Sequence, residues 1–184
     1  MFLMPHNTHL NWPSVSQIVK DLIPNPGIDA WKARVGQADA DRTSQEARDY
    51  GTHIHAVIEQ AIKTNKWTRK FNLKYAKAIV KTYPNGDSEK HVTNGLLKFH
   101  GTIDYLSSDC IADWKTGRSF DVLSFFQMLG YSYLGGKDRA VLIPVGEKAK
   151  YLKPCWFMGL SRKWPIWESM VHTWWKFNPS GCES

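Results

Sequence analysis

The stretch GTIDYLSSDCIADWKTG, residues 101–117, contains two short apolar runs separated by a polar turn. Runs of this kind predict two antiparallel strands joined as a hairpin. Paired residue numbers in a symmetric hairpin have a constant sum, and a loop of either two or four residues places Asp104 opposite Asp113. Lys115 lies two residues beyond Asp113, so it is expected on the same face of the sheet. The hairpin therefore predicts two acids and a lysine side by side.

Two carboxylates directly opposite each other repel and destabilise a sheet. A hard divalent cation would offset this repulsion, because Mg²⁺ binds oxygen ligands at close range. With a metal, the acid pair would suit phosphodiester hydrolysis, since a metal polarises a phosphoryl oxygen and lowers the pKa of a bound water. Lys115 would stabilise the charge that develops in the transition state or help position the water. The hairpin alone is equally compatible with a solvated face of exposed acid–lysine pairs.

Length and charge define a broad class of protein. The chain has 184 residues, of which 42% are hydrophobic and 22% charged, as in one ordinary globular domain. Its formal net charge of +7 favours an anionic partner such as nucleic acid. Nine Trp residues are expected mostly in the core rather than as stacking platforms for bases.

The cysteines and the apolar runs exclude several classes. Cys110, Cys155 and Cys182 form no C-x-x-C pair, which argues against a zinc ribbon, and their odd number argues against a secreted disulfide framework. The chain contains no run of about 18 apolar residues and no basic segment followed by an apolar one at its start. We therefore expect no transmembrane helix, no signal peptide and a cytoplasmic location.

The first part of the chain predicts helices. SVSQIVKDLI, residues 14–23, reads as a short helix capped by Ser14 or Ser16, and PNPG at 24–27 ends it. The polar stretch that follows has no clear pattern. From about Ser44, apolar residues at helical spacing predict a long helix. The basic stretch before PNGD predicts a second helix, with an apolar side formed by Phe71, Tyr75, Ile79 and Val80.

The period of the pattern then changes to that of strands. EKHVTNGLLKFHGTIDYL and CIADWK predict a meander of three antiparallel strands. SFDVLSFFQMLGYSYLGG predicts a helix that ends at Gly135 and Gly136. RAVLIPV predicts a buried strand and KPCWFMGL a further one. WPIWESMVHTWWKF predicts a closing helix in the core, with Pro165 in its first turn. The order indicates one α/β domain: helix, three-strand meander, helix, strand.

Taken together, the motifs resemble the PD-(D/E)XK nuclease superfamily, and most closely its RecB-like exonuclease branch. That branch has G-x-x-D, then a hydrophobic-D-x-K-T-G, then a helix with Q-x-x-x-Y. GTIDYL, IADWKTG and QMLGY match these elements in order. YGTHIHAVIEQ is similar to an upstream helix that carries a metal-binding His, and PSVSQIV is similar to the N-terminal segment of phage and mitochondrial members. The motifs span about residues 13–131.

The resemblance implies a fold and a division of the chain. The expected fold is a PD-(D/E)XK nuclease core, a mixed central sheet flanked by helices. Residues 1–46, irregular up to residue 13, would form an N-terminal accessory segment. Residues 47–160 would form the catalytic core and residues 161–184 a C-terminal helix, all within a single domain of residues 1–184.

The resemblance also implies the roles of the central residues. Asp104 and Asp113 would bind the metal, together with the backbone carbonyl of Trp114. His55 would complete the protein ligands. Lys115 would be the catalytic lysine.

The residues that follow the hairpin are expected to contact the nucleic acid. Gln127 and Tyr131 are four residues apart on the predicted helix, so both can point towards the site. Thr116 belongs to the K-T-G turn and would line the site. Arg118 follows that turn near a helix start, where it would meet a phosphate.

The upstream helix supplies further candidates around His55. Glu59 lies four residues on and shares its face, and it is expected to support the ligands or to face the solvent. His53 points elsewhere. Gly51 costs about 1 kcal/mol in a helix relative to alanine, which predicts a close approach of backbone or ligand. Glu89, just before the first predicted strand, matches an acid found there in some members of the branch.

The resulting expectation is a stand-alone, metal-dependent DNA exonuclease that uses Mg²⁺ or Mn²⁺, of the kind phages encode for recombination, repair or degradation of DNA. No iron–sulfur cluster is expected, because such clusters need four grouped cysteines. The expected partners are DNA and a recombination or single-strand-binding protein, without a membrane, in the cytoplasm of the host if a phage encodes the chain.

Three alternatives remain open at this point. A structure-specific endonuclease would share the same core. A catalytically inactive nucleic-acid-binding module would share the fold, and a protein-interaction domain would match the motifs by chance. The basic stretch KTNKWTRKFNLKYAK would suit a DNA strand, and it would suit equally a solvated helix face over core aromatics.

Overall fold

The alternating apolar runs of the chain form a five-stranded mixed sheet with helices on both faces. The computed structural model describes residues 11–179. Its helices and strands, in chain order, are α1 (Val15–Leu22), α2 (Pro26–Val35), α3 (Gln37–Thr64), α4 (Lys74–Thr82), β1 (Asp87–Asn94), β2 (Phe99–Leu106), β3 (Ile111–Lys115), α5 (Val122–Gly135), β4 (Ala140–Pro144), β5 (Cys155–Phe157) and α6 (Trp164–Phe177).

The strand order in the sheet is β1-β2-β3-β4-β5. The first three strands form the predicted antiparallel meander, and β4 then pairs with β3 in parallel after the crossover through α5. The short strand β5 adds to β4 in the antiparallel sense. This α/β architecture agrees with the expected order of elements. It also brings the ends of β1, β2 and β3 next to each other.

The hairpin has the register that its loop predicts. Tyr105 pairs with Ala112 and Leu106 with Ile111. The ladder ends there, and beyond it the Trp114 N–H donates to the carboxylate of Asp104 at 2.6 Å. A side-chain oxygen thus replaces a backbone acceptor at the point where the two strands separate.

Each face of the sheet has its own core. On one face, α1, α5 and α6 pack around Phe99, Ile103 and the fully buried Trp167. On the other face, α3 contributes Ile54 and Ile58, α4 contributes Ala76 and Ile79, and Leu73 packs with them just before α4. Burial of these side chains supplies most of the stabilising free energy. The Trp-rich α6 is core packing, as its sequence predicts.

The helix ends follow local signals, with three differences from the expected helices. Ser14 caps α1, and its hydroxyl accepts from the Gln17 N–H at 3.1 Å. The polar stretch without a clear pattern is helical, because α2 begins at Pro26 and α3 at Gln37 instead of about Ser44. The basic stretch is helical only from Lys74, so Phe71 precedes the helix.

Other boundaries can be compared with the described residues. The helix α3 crosses the expected boundary at residue 46, so the accessory segment and the catalytic core share one helix. Residues 1–10 and 180–184, which include part of the expected irregular start and Cys182, lie outside the described residues. Within residues 11–179, no helix combines the length and apolarity needed to cross a membrane.

Two helical glycines are expected to respond in opposite ways to alanine. A Cβ at Gly130 would lie 2.7 Å from the Trp167 ring and 2.8 Å from Val15. We expect Gly130→Ala to lower the free energy of unfolding by about 1–3 kcal/mol, because both neighbours belong to the packed core.

The matched control is Gly51→Ala in α3. Its Cβ would lie 3.7 Å from Thr116 Oγ1, an ordinary van der Waals contact, so the close approach predicted at this glycine is absent. We expect a gain of about 0.5–1 kcal/mol from the better helix propensity of alanine. Urea unfolding of both variants measures these changes, and a stabilised Gly130→Ala would contradict the packing argument.

Candidate metal centre

Three acids lie in one row across the first three strands. Ser88 pairs with Tyr105 and Lys90 with Ile103, so Glu89 on β1 lies opposite Asp104 on β2. The same counting in the hairpin places Asp104 opposite Asp113. Neither of these two acid–acid positions is a regular rung of the ladder.

The regular alternation of side chains breaks at this row. Ile103 packs in the core beneath α1, α5 and α6, whereas Tyr105, two residues on, packs in the core beneath α3 and α4. Side chains two apart on a regular strand share a face. Opposite the break, Glu89 has a φ of +50°, a left-handed conformation that costs a residue with a side chain about 1–2 kcal/mol. The irregular backbone turns Glu89 and Asp104 towards a common point, and strain of this kind is typical of functional sites.

His55 on α3 faces this point. Its Nε2 lies 3.1 Å from the Trp114 carbonyl, which can only accept, so Nε2 carries the proton of that hydrogen bond. Its Nδ1 lies 3.5 Å from both Glu89 Oε1 and Asp104 Oδ1. The Trp114 carbonyl, expected as a metal ligand, thus orients the imidazole in this structure.

A metal would find three ligand atoms close together. One ligand atom each from His55, Glu89 and Asp104 lies within 4.8 Å of the other two. The sequence motif predicts Asp113, and not Glu89, as the third side chain of this metal site. Glu89 also lies inside β1 as its third residue, and not before the first strand as expected.

The electrostatics of this group favour a positive charge among its acids. Burial, followed by the charge of Asp113, raises the pKa of Asp104 well above its usual range. Burial alone would lower the pKa of His55, but its contact with Glu89 and the charges of Asp104 and Asp113 outweigh it and raise the pKa to about 9. Glu89 Oε1 is buried and accepts no hydrogen bond from the described residues. A divalent cation would satisfy all three groups and displace their protons.

Lys115 forms a second cluster beside the first. Its Nζ lies 2.8 Å from Asp113 Oδ2 and donates to Gln127 Oε1 at 2.6 Å. Burial alone would lower the pKa of Lys115, but the charges of Asp113 and Asp104 outweigh it, so the pKa is raised. The ammonium is therefore charged and held in a fixed direction, on the face that the hairpin pattern predicts.

Gln127 connects α5 to α1. Its amide nitrogen donates to Tyr131 OH and to Ser16 Oγ, both at 3.0 Å. The i, i+4 spacing predicts the contact with Tyr131. Sequence reasoning considered Ser16 only as a helix cap and missed this role, because the two residues are 111 positions apart and no local pattern links them.

A cleft of about 280 Å³ lies against these residues. Ser16, Lys20, Lys115 and Gln127 are among its lining residues. The side chain of Lys115 is 25% exposed, whereas that of Asp113 is 4% exposed. The side chain of Lys115 is thus partly open to the cleft, whereas its partner acid is buried.

The remaining predicted residues lie outside the two clusters. Thr116 is near Gly51 of α3, at the rim. The exposed Arg118 lines a separate shallow cleft of about 500 Å³ with Lys148, Lys150 and Tyr151. Glu59 pairs with Lys63 at 2.6 Å, as a solvent-facing acid would.

Comparisons with known proteins assign the chain to no family. No protein-family model matches its sequence, and no curated protein matches it. A solved structure described as "Crystal structure of SSO0001" aligns over 94% of this chain and 78% of its own, at 12% identity and a TM-score of 0.44. The chemistry of the site therefore follows from its own residues.

Proposed function

We propose that this chain is a metal-dependent nuclease of the PD-(D/E)XK type, which hydrolyses phosphodiester bonds of DNA from the strand ends. The observation that carries the proposal is the joint arrangement of the acid row and the lysine. Glu89, Asp104 and Asp113 occupy neighbouring strands, and Lys115 is held beside them by Asp113. Neighbouring acids on a sheet repel each other, and a bound divalent cation would offset this repulsion.

The residues that would hold the metal are His55, Glu89 and Asp104. Their donor set of one imidazole nitrogen and carboxylate oxygens suits Mn²⁺ and Mg²⁺, and it would bind Mn²⁺ more tightly because the harder Mg²⁺ prefers oxygen ligands to an imidazole nitrogen. When bound, the metal would supply Lewis-acid chemistry that polarises a phosphoryl oxygen and acidifies water.

Lys115 would act on the phosphate itself. Its raised pKa keeps it charged at neutral pH, and its contacts with Asp113 and Gln127 aim it before the substrate arrives. A preorganised cation of this kind stabilises the negative charge that develops on phosphate oxygens in the transition state. The cleft beside it gives the substrate access to Nζ.

DNA as the substrate is supported by the charge of the whole chain. The formal charge of +7 at pH 7 favours a polyanion, and contacts with phosphates would position it. Nothing in the row of acids recognises a base, so cleavage is expected to be independent of sequence.

The test is degradation of end-labelled linear DNA, single- and double-stranded, alongside closed circles of the same sequence. We expect loss of linear DNA with Mg²⁺ or Mn²⁺, faster with Mn²⁺ at limiting metal, and none with EDTA. Circles are expected to survive, because an exonuclease needs an end.

Two results would change the proposal. Cleaved circles would indicate a structure-specific endonuclease built on the same core. Intact DNA under all conditions, with salt-sensitive binding, would indicate an inactive nucleic-acid-binding module.

A further inference from the structure

The positive charge of the chain is concentrated in one segment. Residues 63–81 contain seven of the 24 Lys and Arg residues and no Asp or Glu. The other 17 basic residues equal the 17 acidic residues in number, so the rest of the chain has no formal net charge. The surplus therefore lies on the last turn of α3, the loop that follows it and α4.

The loop between α3 and α4 contains a pocket with an aromatic lining. Its volume is about 310 Å³, and Trp67, Phe71, Asn72 and Leu73 line it together with basic residues. Trp67 and Phe71 are half-buried, and both pack on the core beneath α3 and α4. They are thus supported from below and open to the pocket, as stacking platforms for bases must be.

A hydrogen-bond donor in the pocket lacks an acceptor. The side-chain amide nitrogen of Asn72 is buried and donates to no acceptor among residues 11–179. A buried donor of this kind costs free energy unless a partner arrives. The Asn72 side chain would have to turn outward to donate to the ring nitrogens and carbonyl oxygens at a base edge while the base face stacks on an aromatic ring.

The basic residues surround the pocket where a strand would continue. Arg69, Lys74 and Lys77 line it and are exposed. Phosphates on either side of a stacked base would find these cations. The pocket also adjoins α3, because the Phe71 ring contacts that of His53 with centroids 5.6 Å apart, and the same helix carries His55 on another face.

We propose that this pocket binds one base of a single-stranded DNA segment, with its flanking phosphates on Arg69, Lys74 and Lys77. The choice of DNA rests on the proposed nuclease function, whereas the pocket itself would bind without any metal or cleavage. Stacking and salt-sensitive contacts with the backbone make such binding tolerant of sequence. The pocket would hold the strand beside α3, the helix that also carries His55.

The experiment measures binding of a fluorescein-labelled oligothymidylate by anisotropy in EDTA, where no cleavage takes place. We expect Trp67→Ala to weaken binding by about 5- to 100-fold and Trp67→Phe to restore most of it, because phenylalanine also stacks. Trp156→Ala is the matched control, since Trp156 on β5 is 42% exposed and does not line this pocket, its ring lying 6.2 Å from that of Tyr83 just after α4. Its affinity should equal that of the wild type.

The exposed cations give an independent measurement that does not depend on packing. Lys74→Ala and Lys77→Ala should each reduce the slope of log affinity against log salt by about 0.7, the value for one phosphate contact on a single strand. The fold of every variant is checked by circular dichroism.

Defined outcomes would overturn the proposal. The first is that the wild type does not bind oligothymidylate. The second is that the Trp67→Ala and lysine variants bind it as tightly as the wild type does. The third is that the wild type binds a duplex as tightly as the single strand and that Trp67→Ala changes neither affinity. Failure of the nuclease function is distinguishable, because it would abolish cleavage and leave this binding intact.

Discussion

Lys115→Ala is expected to lower the rate of metal-dependent DNA cleavage by about 10²- to 10³-fold. The Lys115 ammonium lies 2.8 Å from Asp113 Oδ2, and removal of a single preorganised group that stabilises transition-state charge has an effect of this size. The loss should be in kcat, with little change in KM, because the interaction strengthens only as charge develops on the phosphate. Single-turnover cleavage of labelled linear DNA measures it.

Two variants make the result specific. Lys176→Ala removes an exposed lysine near the end of α6 and should leave the rate unchanged. Lys115→Arg keeps the charge but replaces a compact ammonium with a planar group that does not fit between Asp113 and Gln127, so it should recover little activity. Full activity in Lys115→Ala would remove the lysine from the mechanism.

The hairpin at residues 101–117 shows what the sequence determines in this fold. Alternation of side chains and closure of a short loop fix which residues face each other, and the register follows without tertiary information. Helix ends at Gly136 and Ser14 were equally predictable, because a left-handed cap and a side-chain acceptor act over one turn.

The helices before residue 82 were less predictable for a physical reason. The helix α2 and the first turns of α3 bury little, with Ala40 as the buried residue, so they lack the apolar stripe that identifies a helix. The loop before α4 carries Trp67 and Phe71 at spacing that a helix would also allow. Their packing on the sheet depends on residues distant in sequence, and tertiary contacts decided the conformation.

The contacts of the candidate site also fall into those that the sequence predicts and those that it does not. The closeness of Asp113 to Lys115 and of Gln127 to Tyr131 follows from periodicity within one strand and one helix. The position of Glu89 does not, because it depends on a left-handed residue at a break in the ladder that no turn signal marks. Geometry thus favours Glu89 as a metal ligand, whereas the sequence motif favours Asp113.

The two clusters divide the chemistry between them. His55, Glu89 and Asp104 have the proton on His55 as their counter-charge, which a metal would displace, whereas Asp113 is paired with Lys115. If Asp113 bound the metal directly, it would have to share or give up its contact with the lysine. If Glu89 completes the metal ligands, Asp113 can keep its contact with Lys115. Every carboxylate then has a positive partner.

This difference leads to an expected effect on thermal stability. A cation that binds the folded chain at 100 times its Kd stabilises it by about 2.7 kcal/mol, which corresponds to a rise in Tm of about 5–10 °C for a chain of this length. We expect Mn²⁺ to raise the Tm of the wild type by this amount, and Asp104→Asn and Glu89→Gln to abolish most of the rise. Differential scanning fluorimetry with and without EDTA measures it without any DNA.

Glu59→Gln is the matched control for Glu89→Gln. Both remove one glutamate charge near His55, but Glu59 pairs with Lys63 at the surface, so its variant should keep the full Mn²⁺ effect. Asp113→Asn tests the competing ligand set. If Asp113→Asn abolishes the rise in Tm and Glu89→Gln preserves it, the metal binds His55, Asp104 and Asp113 as the motif implies, and the strained backbone at Glu89 needs another explanation. If Glu89→Gln abolishes it, the break in the β1–β2 ladder exists to bring that acid to the metal.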